Sequence, residues 1–329
     1  MIIIILIYSF FIASLNVVEA AKIDIQPPNQ PLYGPGSSDY NHSQVLRYSY
    51  GEGGKQYWIF EPASPKPDSA PIIVFNHGWS ALNPIFYQAW IDHIVRKGNI
   101  VIYPRYQESI FTSSDEFTSN AIWSIKDAIK RLNSTEHVKP ELDKFALIGH
   151  SAGGLISINI ASLAIKEGLP VPKAVFCVKP GKSRTESDEI GPVLEDLSKV
   201  PEDTLILTMS GDRDDIVGSD DSKKIINETT SVKNENKNYI EMVSDEHGTP
   251  PLIADHITPL AIKFEIGKED YQLLVNSLDY YGTWKLFDGL YEAAFYDKNR
   301  EYALGNTTYQ RYMGTWSDGT PVKELIVYT

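Results

Sequence analysis

Gly149-His150-Ser151-Ala152-Gly153 holds a serine between two glycines, and the flanking residues give that spacing its meaning. An apolar run, Phe145-Ala146-Leu147-Ile148, precedes it, and a run of small and apolar residues, Gly154-Leu155-Ile156-Ser157-Ile158, follows. The pattern predicts a strand, a sharp turn and a helix, with Ser151 at the apex. Such an elbow strains the serine backbone and brings strand and helix so close that side chains at 149 and 153 would clash. The chemistry is nucleophilic catalysis. A serine hydroxyl is a weak nucleophile near neutral pH, so it needs a base to take its proton and a carboxylate to orient that base.

Candidates for both follow later in the chain. The apolar run Thr204 to Met209 leads into Ser210-Gly211-Asp212-Arg213-Asp214-Asp215-Ile216-Val217. A spacing of strand, glycine, two residues, Asp selects Asp214, with Asp212 and then Asp215 as rivals. The run Tyr239-Ile240-Glu241-Met242-Val243 ends in Ser244-Asp245-Glu246-His247-Gly248. We expect His247, just past that strand, to be the base. Its rival is His256, read as the start of a following helix. His93 and His137 read as structural and loop residues.

An oxyanion needs two aimed N–H donors. Ala152, after the nucleophile, offers one. The other is expected from Trp79 in the loop Asn76-His77-Gly78-Trp79, where Gly78 allows close approach and His77 supports the loop. Trp79, Tyr106 and Gln107 follow strand ends and are expected to line the substrate pocket, since ligands of α/β folds bind at such loops. His77 and His93 form no close ligand pair, so no metal and no other cofactor is expected.

The elements that must position these groups alternate. A hairpin is expected from Gln44–Tyr50 and Gln56–Phe60. Then come a strand at Ala70–Phe75, a helix near Pro84–Lys97, a strand at Asn99–Tyr103, and a helix opened by a capping box from Ser113 to Glu116. Ala121, Ile125, Ala128 and Leu132 share one face of that helix. A further strand is Ala174–Val178, where Cys177, the only cysteine, fills the core and excludes an intrachain disulfide. Alternation of this kind predicts an α/β fold, a mostly parallel central sheet with helices on both faces. Glu186 to Lys199 is a polar excursion that could form a flap.

The strand-HG-W loop, Gly149-His150-Ser151-Ala152-Gly153-Gly154, the later Asp and the late His together resemble the α/β-hydrolase superfamily. The double glycine resembles chlorophyllase-like, dienelactone-hydrolase-like and platelet-activating-factor-acetylhydrolase-like serine esterases. The resemblance spans roughly residues 44 to 267. It implies the order Ser, Asp, His and the hydrolysis of a small-molecule or polymeric carboxylic ester through an acyl-enzyme. A peptidase or amidase with the same triad is an alternative, although exopeptidases of the superfamily usually add a propeller or large cap. A non-catalytic binding protein on the same fold is another.

With 329 residues, 42% hydrophobic and 22% charged, the composition is that of a globular protein. The net charge of −13 and lack of a basic stripe argue against nucleic acid as a partner. Residues 1–20 are expected to be a signal peptide: an apolar run broken by Ser9, Ser14 and Asn16, then Val18-Glu19-Ala20 as a small-x-small cleavage site. No Lys or Arg precedes the run. The expected mature protein is secreted or periplasmic, with no stable membrane span. Residues 21–43 form a Pro/Gly-rich arm, and 44–329 one domain ending in a Tyr- and Trp-rich extension from about 269. Asn41, Asn133, Asn227 and Asn306 each open a glycosylation sequon.

Overall fold

The computed structural model describes residues 24–329 except 135, 185–188 and 263–272. The expected signal peptide therefore lies outside the described residues.

Continuous apolar runs become strands covered on both faces. The strands are β1 (Gln44–Tyr50), β2 (Tyr57–Ala63), β3 (Ser69–Asn76), β4 (Ile100–Pro104), β5 (Lys139–His150), β6 (Ala174–Val178), β7 (Ser183–Arg184), β8 (Glu189–Ile190), β9 (Leu205–Gly211), β10 (Lys237–Met242) and β11 (Ile326–Tyr328). Nine of them form one sheet, ordered β1-β2-β4-β3-β5-β6-β9-β10-β11. Neighbours from β4 to β10 are parallel, and β1, β2 and β11 are antiparallel edges. β7 and β8 make a separate two-stranded hairpin.

The two sides of β3 show how the faces are filled. Ile73 and Phe75 join a core with Trp90 and Ile94 of α1 (Gln88–Arg96) and Leu286, Phe287 and Leu290 of α5 (Lys285–Tyr296). Ile72 and Val74 join the opposite core, with Phe117 and Ile125 of α2 (Phe117–Leu132) and Leu155 and Ile156 of α3 (Ala152–Glu167). Ile225 of α4 (Asp220–Glu228) packs on that second face, and the short α6 (Thr308–Arg311) follows near the C-terminus. The result is a mostly parallel, mixed sheet with helices on both faces.

Two local expectations change. The capping box at Ser113 does not form: the entry to α2 is a 3-10 turn in which the Glu116 N–H meets the Ser113 carbonyl (3.1 Å), and the serine side chain caps nothing. Of the suspected flap, residues 186–188 lie outside the described residues. The rest is tied to α3, since Asn159 donates to the Val193 carbonyl and accepts from the Glu195 N–H. Cys177 is fully buried, and burial pushes its thiol pKa up.

Candidate active site

Ser151 sits between β5 and α3 at φ 57° and ψ −125°, a backbone conformation that L-residues avoid. Glycine at 153 makes the turn possible: a Cβ there would lie 2.1 Å from the Asn76 carbonyl oxygen. A Cβ at 149 would lie 2.0 Å from the Gly153 carbonyl oxygen.

The Ser151 hydroxyl lies 3.0 Å from His256 Nε2. His256 Nδ1 lies 2.9 Å from Asp214 Oδ2. A carboxylate can only accept, so Nδ1 carries the proton and Nε2 is left to accept from the serine. Asp214 Oδ1 accepts the N–H groups of Ile216 and Val217, at 3.1 Å each. Burial acts to raise the Asp214 pKa, but the His256 hydrogen bond, the Val217 N–H and the Lys179 charge outweigh it and hold the carboxyl below its usual range. The three groups are 2%, 7% and 8% exposed for Ser151, Asp214 and His256, so the contact chain is almost wholly covered by protein.

His247 is not in this constellation, and the expectation that it would be the base is corrected. Its Nε2 lies 2.8 Å from Asp318 and its ring meets Trp316 edge-on. After β10 the chain folds back on itself, pairing Asp245 with Leu252, and His247 sits on that detour. His256 comes after the detour in an irregular turn, not at the start of a helix. Asp255 shapes that turn by accepting the Ile257 and Thr258 N–H groups. The rival carboxylates point elsewhere. Asp212 binds the Ser244 N–H and hydroxyl, and Asp215 is exposed.

The two expected oxyanion donors lie on elements that meet at the serine, and Trp79 lines the same cavity as Ser151. Ala152 opens α3, and Trp79 follows Gly78 beyond β3. Neither backbone N–H has a partner among the described residues. His77 supports this loop, its ring between the carbonyls of Gly78 (2.6 Å) and Arg105 (2.8 Å). Burial lowers its pKa to about 4, and a neutral ring donates to only one of these two carbonyls.

A cavity of about 470 Å³ opens on Ser151 and His256, walled by Trp79, Phe86, Ile216, Ile257 and Leu260. Trp79 lines this cavity, but Tyr106 and Gln107 are not in its wall. Tyr106 is fully buried, stacks on His77 at 4.1 Å and donates to the His77 carbonyl. Gln107 is buried too and accepts the Ser80 N–H. Both support the loop from behind. The apolar residues 257 and 260 were missed because they lie beyond the strand taken to end the site. Among the described residues, no group of three or more His, Cys, Asp or Glu side chains could hold a metal.

A family model described as Chlorophyllase matches residues 33–201. The matched stretch contains Ser151 and the Trp79 loop and stops before Asp214 and His256. No curated protein matches the chain.

Proposed function

The chain belongs to the Chlorophyllase family, ester hydrolases of the α/β-hydrolase superfamily, and on that premise we propose that it cleaves carboxylic esters through an acyl-enzyme on Ser151. The observation that carries this reading is the chain of contacts from Ser151 through His256 to Asp214, at 3.0 and 2.9 Å.

In the proposed mechanism Ser151 Oγ attacks the ester carbonyl as His256 Nε2 takes its proton. Asp214 stabilises the imidazolium and holds it in the productive tautomer. The N–H groups of Trp79 and Ala152 receive the charge that develops on the carbonyl oxygen. Collapse breaks the C–O bond, and His256 returns its proton to the departing alcohol. Water, deprotonated by His256, then attacks the acyl-serine and releases the acid. Among the described residues the cavity wall carries no Lys, Arg, Asp or Glu, which supports a neutral ester with an apolar group.

Residues 1–20 are read as an export signal, so the enzyme is proposed to act outside the cytosol. Among the described residues no helix is long and apolar enough to cross a membrane. Sequencing the amino terminus of the released protein, expected at Ala21, checks this.

The decisive test is fluorophosphonate labelling alongside hydrolysis of p-nitrophenyl esters of increasing chain length. Ser151→Ala is expected to abolish labelling and to lower kcat by about 10³-fold or more. Retention of near-full activity in that variant overturns the serine mechanism.

A further inference from the structure

We propose that Lys179 and His150 are positioning residues that clamp the main chain on either side of His256 and so hold its ring on Ser151. The inference rests on the reading of His256 as the base. From the end of β10 at Met242 to His256 the chain forms no helix or strand, only the isolated Asp245–Leu252 bridge. A base carried on such a loop has to be fixed by side chains from elsewhere.

Two buried donors meet the two peptide carbonyls that flank the His256 side chain. Lys179 Nζ donates to the carbonyl of Asp255. His150 Nε2 lies 2.9 Å from the carbonyl of His256 itself.

Lys179 follows β6 at φ 46°, a left-handed conformation that costs energy outside glycine, and its N–H is held by the Met209 carbonyl at 2.7 Å. Its side chain is fully buried, and the Asp255 carbonyl is its partner among the described residues. An ammonium in such a place is costly, and an apolar side chain of the same length would fill the space more cheaply. The carboxyl groups facing it are Asp214, Asp255, Asp212 and Asp279, the last pushed up to about 8 by its own burial; even so, burial lowers the Lys179 pKa to about 8.

His150 is held by a relay. Burial keeps it neutral, with its pKa well below the usual value, so it has one N–H to give. A carbonyl cannot donate, so that proton is on Nε2 and goes to His256. Nδ1 must then accept from the Tyr87 hydroxyl at 2.8 Å, and the Tyr87 oxygen accepts the Gly78 N–H at 3.0 Å. One line of hydrogen bonds thus joins the His256 turn to the loop carrying Trp79, through the residue next to the nucleophile.

The test compares Lys179→Met, His150→Leu and His150→Gln in the full chain, with Ser151→Ala and His256→Ala beside them. A glutamine amide can still donate towards the His256 carbonyl. We expect Lys179→Met and His150→Leu to lower kcat by about 10- to 100-fold with little change in KM, as for a misplaced base, and His150→Gln to recover most of the loss. The low-field proton resonance of His256 Nδ1–H should broaden or vanish in the first two variants and persist in the third. A merely structural role would lower the melting temperature and leave kcat and that resonance intact in the folded protein, which overturns the clamp. If Ser151→Ala keeps its activity, the serine mechanism is what fails. If Ser151→Ala and His256→Ala are inactive while the clamp variants are unimpaired, the clamp alone fails. Should Lys179→Met not fold, the contrast between His150→Leu and His150→Gln decides.

Discussion

His247 and His256 are nine residues apart in the chain, and their surroundings divide them: one ring faces an exposed aspartate, the other a serine and a buried aspartate. His256→Ala is expected to abolish fluorophosphonate labelling and to lower kcat by about 10³-fold or more, while His247→Ala labels as the parent does. The reverse result would return the base to the strand end. Asp214→Asn should leave the fold intact but favour the wrong imidazole tautomer, at a cost of up to about 10⁴-fold in kcat. Asp215→Asn should cost far less, because its carboxylate faces solvent. Comparable losses at 214 and 215 on one ester would refute this assignment. The places of Ser151 and Asp214 in this chain of contacts were legible in the sequence because a short turn fixes their distance from a strand end. The place of His256 was not, since a loop that doubles back leaves no periodicity to count along. The inward turn of Tyr106 was equally hidden: the residue follows a strand end, but its ring is taken up by His77.

At the scale of elements, the strands could be read because both faces of the sheet are covered, so their residues form unbroken apolar runs. The 3.6-residue spacing of Ala121, Ile125, Ala128 and Leu132 marks α2 for the same reason. Helix entry was less legible, because the backbone closed a 3-10 turn at Ser113 without the side-chain cap. The elbow makes the most exacting packing demand. Gly153→Ala would drive a methyl group into the Asn76 and His77 carbonyls, at 2.1 and 2.4 Å, and rigid backbone cannot move aside as a side-chain tip can. A loss of at least about 2–3 kcal/mol is expected, read from urea unfolding. Gly168→Ala is the control. At φ +66° with nothing within 4 Å of the added Cβ, it should cost only the left-handed backbone penalty, about 1 kcal/mol. Equal losses at the two positions would mean that strand and helix are not in close contact at the elbow.

Over the whole molecule, the arm before β1 and the extension after residue 272 are fastened to each other and to the α1 side of the sheet. Gln26 and Ser317 exchange hydrogen bonds, and the Thr249 N–H binds the Ile25 carbonyl. The centre of this fastening is Asp288 on α5. Its Oδ2 accepts the Gly36 N–H of the arm at 2.8 Å and meets His93 Nε2 of α1 at 2.9 Å, while His93 Nδ1 meets the Tyr40 hydroxyl at 3.1 Å. The sequence of the extension carries no sign of this role, since long-range pairing of this kind has no local signature. Burial acts to raise the Asp288 pKa, but His93, Lys97 and the Gly36 N–H outweigh it, so the folded value lies below the usual one. A depressed carboxylate contributes stability that is complete above its unfolded pKa, about 4, and is lost as pH falls through the folded value. Asp288→Asn should therefore destabilise the protein by about 3–5 kcal/mol at pH 6, as removal of a buried charged partner does. The gap from the parent should narrow as pH falls below about 4, where the unfolded carboxylate takes up a proton and the advantage of the depressed folded group is progressively lost. Urea unfolding of both proteins across that range isolates this group from the other carboxylates, which titrate alike in each. A gap that stays constant from pH 6 to pH 3 would mean that the Asp288 charge does not join the arm to the extension.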